Sequence, residues 1–326
     1  MYKESIMAFG QRATEAATKT KTITTPTEIK ESPWMPTGSG TRFFYVLPEM
    51  ETPTKPRFTE RKSSNGKPVK RDGKILYGLE PAEETVFAFA WWPVMVNGAL
   101  APRRIFFDPD RRYDNPLWKH IDATWPKVAK GMPIPKERMA IKLGFAMNVY
   151  DVTPVVRTDK GIFYPVESGE YILRAYMNTG KIEDNPDNLP PNYLAPEDAK
   201  PLNEIRVLEG SYGAKGLFQQ FLNIEGTVED ADGLIMRLPE IKLRLRTTGR
   251  DLATQRIVQP MLSFGAPPLE VVTQTRYDLK AWTAPWPDEA VQALLDGDDF
   301  TEVTSSFSCV LFPEKQQQKE EENLFV

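Results

Sequence analysis

Residues 84–107 read ETVFAFAWWPVMVNGALAPRRIFF. From Glu84 to Trp92 the run is apolar and aromatic, the composition of a pleated, packed strand. Asn97-Gly98 is the turn signal of a tight hairpin. Ile105-Phe106-Phe107 resumes the apolar run, and Asp108-Pro109-Asp110 breaks it. Two such runs joined by a turn place the chain among β-rich proteins.

The flanks read the same way. Thr41-Arg-Phe-Phe-Tyr-Val-Leu47 is a strand closed by Pro48. Arg138 to Val149 is a strand or strand pair, turned by Asp151-Val-Thr-Pro154. Gly169–Tyr176 and Asn203–Leu208 are further strands. After Asp232-Gly233, the runs 234–238 and 241–246 read as two arms of a hairpin or meander. In the second run Ile241, Leu243 and Leu245 point one way and Lys242, Arg244 and Arg246 the other. Helices are few and short: one after Asn115 with Pro116 at its first position, one over 213–223, and an amphipathic one over 287–296. The chain's 29 prolines fall between short apolar runs and argue against long helices. The expected class is mostly β or α+β, an OB-like partly open barrel with insertions. The expected organisation is a flexible N-terminal arm (1–30) and an OB-like nucleic-acid-binding core (31–285). A short helix and strand packed on that core (286–312) and an acidic tail (313–326) complete it.

Net charge is only −4 over 326 residues, but its distribution is uneven. Residues 55–74 carry eight Lys/Arg against Glu60 and Asp72, and 51–74 read as a long basic loop or a hairpin with Asn65-Gly66 at its tip. From Arg103 to Lys142 ten Lys/Arg face five acids, and from Asp288 to Glu322 ten acids face Lys315 and Lys319. A basic binding face with an acidic tail is the pattern this implies. Residues 179–204, proline-rich and acidic, read as an exposed excursion or a linker.

One Cys and one His leave few options for acid–base, nucleophilic or zinc chemistry. Cys309 has no intrachain partner for a disulfide, and no signal-peptide or membrane-length apolar run is present, so a cytoplasmic protein without cofactor or metal is expected. His120 reads as a structural or surface histidine. Pro186-Asp187 with Glu240-Ile-Lys242 satisfies a loose nuclease pattern in which carboxylates hold a divalent cation, but the pattern is short and common. The segment Gly210–Gly216 lacks the spacing and the Ser/Thr of a phosphate-binding P-loop.

Flat rings beside cations suit single-stranded nucleic acid, which needs a π-face for each unstacked base and positive charge for each phosphate. The aromatic–basic candidates are Tyr77, Trp92, Arg103, Arg104, Arg111, Arg112, Tyr113 and Trp118. The basic loop contributes Arg57, Lys62, Lys67, Lys70, Arg71 and Lys74. Lys242, Arg244 and Arg246 form a third set, spaced about 6.6–6.8 Å apart along a strand; the competing reading is a solvent face with ion pairs to Glu240 or Asp232. Glu320, Glu321 and Glu322 followed by Leu324 and Phe325 form an acidic end with an apolar tip, suited to docking on a partner.

The order of motifs resembles a known family. It runs Trp34…Arg42-Phe-Phe-Tyr-Val-Leu-Pro48, a basic segment, Trp91-Trp92-Pro-Val…Asn115-Pro-Leu-Trp118, and Phe145-Ala-Met-Asn-Val-Tyr-Asp-Val-Thr-Pro154. It closes with Pro201-Leu-Asn-Glu-Ile-Arg-Val-Leu-Glu-Gly210 and Gly233…Arg246-Thr-Thr-Gly249. This is similar to the tailed-phage single-stranded-DNA-binding proteins of the T-even helix-destabilising type. The resemblance spans roughly 34–250, and Asn148-Val-Tyr-Asp-Val-Thr-Pro154 is its most specific piece. It implies an OB-fold core and single-stranded DNA as partner in replication, recombination or transcription. It further implies an N-terminal arm for self-association and a C-terminal tail that recruits replication or transcription proteins. Many relatives carry a Cys/His zinc ribbon between the Leu-Pro segment and the Asn-Val strand; this chain does not. A virion structural or interaction protein is the alternative class.

Overall fold

A computed structural model describes residues 33–37, 40–63, 65–125, 139–158, 161–165, 171–173, 199–213, 216–230, 233–248 and 255–311. The N-terminal arm, the tail residues Glu320, Glu321, Glu322, Leu324 and Phe325, and most of the proline-rich 179–204 segment lie outside them. The protein is mostly β and its sheets are antiparallel. The main sheet is seven-stranded and does not close into a barrel.

The strands in chain order are β1 (Gly40–Val46), then six short ones: β2 (Met50–Thr52), β3 (Lys55–Pro56), β4 (Phe58–Glu60), β5 (Lys70–Arg71), β6 (Lys74–Ile75) and β7 (Tyr77–Leu79). Next come the long β8 (Thr85–Val96) and β9 (Ala99–Phe107), followed by β10 (Lys142–Asp151). β11 (Pro154–Thr158), β12 (Gly161–Pro165), β13 (Tyr171–Leu173) and β14 (Lys200–Pro201) form a separate small sheet. β15 (Glu204–Ser211), β16 (Ile241–Thr248) and β17 (Gln255–Phe264) complete the main one.

β10 organises the main sheet. β15 pairs along one of its edges from Gly144 to Asp151. Its other edge is shared end to end: β8 covers Lys142–Ala146 and β1 covers Val149–Asp151. Residues 47–84 leave the sheet between those two strands and return to it. Ala82 N–H bonds Leu47 O at 3.0 Å and Glu49 N–H bonds Glu80 O at 2.7 Å, closing the neck of this arm. The hairpin reading with Asn65-Gly66 at its tip holds: Lys62 and Pro68 form an antiparallel bridge and Ser63 N–H bonds Lys67 O at 2.8 Å. The plain-loop reading is corrected, because the arm is a stack of ribbons, β2–β3, β4–β7 and β5–β6. The last ribbon turns at Asp72-Gly73, where both residues have positive φ, as a tight primed hairpin requires. Asn97-Gly98 joins β8 to β9 in the same way.

The two largest apolar clusters among the described residues fill much of the interior. One gathers Phe87, Trp92, Ile105 and Phe106 from β8 and β9 against α1 (Pro116–Thr124), α4 (Leu279–Trp282), α5 (Asp288–Asp296) and α6 (Phe300–Ser306). Asn115 caps α1 by accepting the Trp118 N–H at 2.8 Å. The other cluster joins Phe44, Val46, Phe145, Leu208, Leu243 and Leu245 to Phe218 and Phe221 of α2 (Leu217–Ile224). Gln220 of α2 bonds Val258 N–H (2.7 Å) and Arg256 O (2.9 Å), covering the free edge of β17. A short helix α3 (Leu269–Val272) follows β17.

Two expectations are corrected. Residues 234–236 pair with 228–230 and not with 241–246: Glu229 and Ile235 form an antiparallel bridge, a 3-10 turn follows at Leu238–Glu240, and β16 pairs with β1 and β17. The 286–312 segment is two helices without a strand among its described residues, and Trp286, Ala290, Leu294 and Val303 sit inside the first core. The Asn148–Pro154 motif has a structural role in the fold. Asn148 exchanges two hydrogen bonds with the Tyr277 backbone (3.1 and 3.2 Å). Buried Asp151 accepts the Thr153 N–H at 2.9 Å, and burial pushes its carboxyl above the ordinary range.

Gly144 is a packing requirement. A Cβ there would lie 2.7 Å from the Phe87 ring, itself locked in the core. Gly144→Ala is expected to cost about 1–3 kcal/mol by overpacking, read as a lower urea midpoint with an unchanged slope. An unshifted midpoint would show that Phe87 has room to move.

Candidate nucleic-acid interface

The strict alternation of 241–246 holds in the fold. Ile241, Leu243 and Leu245 are fully buried, while Lys242, Arg244 and Arg246 project from the opposite face of β16. The neighbours on that face come from register. Phe43 of β1 lies opposite Arg244 and Thr41 opposite Arg246. On β17, Gln259 lies opposite Arg244 and the exposed Ile257 opposite Arg246. No acidic residue stands in register with Arg244 or Arg246. The Lys242 ammonium sits 5.5 Å from the Phe43 ring centroid, close enough for a cation–π contact. Arg244 donates to Gln259 Oε1 at 2.5 Å. Tyr45, one alternation beyond Phe43, stacks on Tyr150 with centroids 6.5 Å apart. Burial raises the pKa of both phenols.

The cations of this face make no ion pair with Glu240. Its two oxygens accept from Arg61 Nη2 (2.8 and 2.7 Å), Leu79 N–H (3.2 Å) and Arg237 N–H (3.0 Å). These contacts make Glu240 an anchor of the arm. Asp232 and Asp187 lie outside the described residues. Arg61 also donates to Ile235 O at 2.7 Å and Tyr77 O at 3.1 Å. Arg237 pairs with Glu80 (3.0 Å) and Glu225 (2.8 Å), and burial pushes the Glu225 carboxyl up against these attractions.

On the arm, Arg57, Lys62, Lys67, Lys70, Arg71 and Lys74 are all exposed. The ammoniums of Lys62, Lys67, Lys70 and Lys74 have no carboxylate partner among the described residues. Tyr77 is 54% exposed, as a stacking ring must be, and so is Phe58 at 50%. These two rings line a groove of about 750 Å³ with Glu60, Lys62, Ile235 and Arg237.

The aromatic–basic set of 92–118 is largely corrected. Trp92 is 2% exposed and packs in the first core, so its ring offers no face to a base. Arg103 is buried over the Phe300 ring (5.6 Å) and donates to Pro102 O at 3.2 Å. Arg104 pairs with Glu209 and lies 4.0 Å from the Phe89 centroid. Trp118 is half-buried, edge-on to Tyr113 at 4.8 Å. These four side chains hold β8, β9, β15 and the helices together. Arg111 bonds Asp288 at 3.0 Å in an exposed pair. Arg112 lies over the exposed Tyr113 ring at 4.5 Å, forming a small outer patch. His120 is edge-on to Trp92 at 5.5 Å and burial lowers its pKa. Burial pushes the Cys309 thiol up, away from the reactive thiolate.

The sequence reading missed Phe43, Tyr45 and Phe58 as site candidates. The alternation of β1 was the available signal for the first two, because it turns Phe44 and Val46 inward and Phe43 and Tyr45 outward. Among the described residues no helix is long and apolar enough to cross a membrane, and no cluster of three metal-ligating side chains occurs. No protein-family model matches this chain, and no curated protein matches it either.

Proposed function

We propose that this chain is a non-enzymatic, sequence-tolerant single-stranded-DNA-binding protein of phage type, coating unwound strands during replication, recombination or transcription. One observation carries the reading: a sheet face on which Phe43 and Tyr45 alternate with Lys242, Arg244 and Arg246 across adjacent strands. Rings on such a platform stack bases of any sequence, each worth about 1–3 kcal/mol. Cations two residues apart on one strand follow the phosphates of an extended chain. The arm's lysines extend the positive surface beyond the sheet.

The test is fluorescence anisotropy with a labelled oligothymidylate across a salt series. Affinity should fall as a straight line in log–log form, with a slope near −0.7 for each phosphate neutralised. Absence of binding at low salt would sink the proposal. Replacing Lys67, Lys70 and Lys74 by Ala should weaken binding of all sequences alike and flatten that slope by up to about 2. The three side chains are exposed, so the thermal midpoint should hardly move. An unchanged slope in that variant would remove the arm tip from the binding track.

A further inference from the structure

The groove on the arm carries more chemistry than a sequence-tolerant surface needs. In the β4–β7 ribbon Glu60 lies directly opposite Tyr77, so the two side chains share a face. Phe58 and Lys62 fall on the same alternation as Glu60, and all four line the groove. Ile235 and Arg237 also line the groove, and Arg237 packs against the Gly78 side of the ribbon, where the Arg61–Glu240 and Arg237–Glu80 pairs hold it. The neighbouring carboxylate, Glu80, is already engaged by Thr59 Oγ1 at 2.6 Å and by Arg237. The Glu60 carboxylate has neither a hydrogen bond nor an ion pair among the described residues.

We propose that this groove is a guanine subsite, in which a base of the bound strand stacks on Tyr77 and Phe58 while Glu60 reads its edge and Lys62 meets the adjoining phosphate. The proposal rests on the single-strand reading above and adds a base preference to it. A carboxylate only accepts hydrogen bonds, through two oxygens side by side. Guanine alone presents two adjacent donors on its pairing edge, N1–H and the N2 amine. Cytosine and adenine set an acceptor nitrogen beside their single amine, and thymine flanks its one N–H with two carbonyls; each of these turns a lone pair toward a carboxylate. In a single strand that edge is free to be read.

The probes are a labelled oligothymidylate and the same strand with one central guanine, adenine or cytosine. The wild-type protein should bind the guanine strand roughly tenfold more tightly than the others, the scale of one good bidentate contact. Glu60→Gln removes a negative charge and so leaves oligothymidylate binding intact or tighter. It should bring the ratio of guanine to thymine affinity to within about twofold. Tyr77→Ala should lower the affinity for the guanine strand most. Free dGMP lacks the sheet contacts and should compete only weakly. Oligothymidylate binding with no guanine preference overturns the subsite while sparing the single-strand reading. A preference that survives Glu60→Gln overturns the role of Glu60. Tight dGMP binding that is independent of any strand overturns the strand as the source of the base. Failure of every strand to bind is the separate outcome that removes the function itself.

Discussion

Glu240→Ala is expected to cost about 3–5 kcal/mol of stability, the scale of breaking a buried ion pair from one side. The reason is geometric. The carboxylate gathers the Arg61 guanidinium and the backbone N–H groups of Leu79 and Arg237 at the root of β16. Its removal leaves Arg61 a largely buried cation without its anion and two amide donors without an acceptor. A urea titration reads the loss as a lower midpoint. Because these contacts join the arm to the sheet, hydrogen exchange in residues 57–80 should accelerate more than in β8 or β10. Glu240→Gln keeps acceptor capacity and removes the charge, so it should lose less stability and leave oligonucleotide binding in place. Uniform exchange across arm and sheet in the alanine variant would show that the arm is held by something other than this cluster.

The second large effect is on affinity. Replacing Phe43, Lys242 and Arg244 together by Ala should lower affinity for oligothymidylate roughly 100-fold or more. One stacked base contributes about 1–3 kcal/mol. Two lost phosphate contacts add to this and should flatten the salt slope by about 1.4. The three side chains are half-buried on one face of the sheet, while Leu243 and Leu245 on the opposite face keep the core filled. The variant should therefore retain its far-ultraviolet circular dichroism and a cooperative transition. Full affinity in a folded variant would remove the sheet face from the binding surface and leave the arm, or the Arg112–Tyr113 patch, as the track.

Local signals carried much of the architecture. The alternation of 241–246, the apolar run of 84–92, the Asn97-Gly98 turn and the Asn115-Pro116 helix start are read from a few neighbouring residues, and the fold uses each of them. Signals failed where an element's role depends on distant partners. Within 51–74 only the Asn65-Gly66 turn signals a hairpin, because ribbons of two or three residues are too short to show a period; the neck at Leu47–Ala82 and the Glu240 anchor hold them. Nothing within 234–246 says that β16 pairs with β1, two hundred residues earlier, instead of with its own neighbour.

The same division runs through the site. The sequence by itself determined that the chain is mostly β, that Lys242, Arg244 and Arg246 share a face, and that the 55–74 segment is an exposed cationic surface. Those properties follow from strand periodicity and from the cost of burying charge without partners. Tertiary structure alone decided which rings remain outside. Trp92 and Phe43 look equally fit to stack a base in the sequence. The helices α1, α5 and α6 close over the face that carries Trp92, whereas Phe43 stays partly exposed opposite Arg244. It also decided that Arg103 and Arg104 bind the protein's own rings and Glu209. Burial is a property of the surface that arrives from elsewhere in the chain, and no window of neighbouring residues contains it.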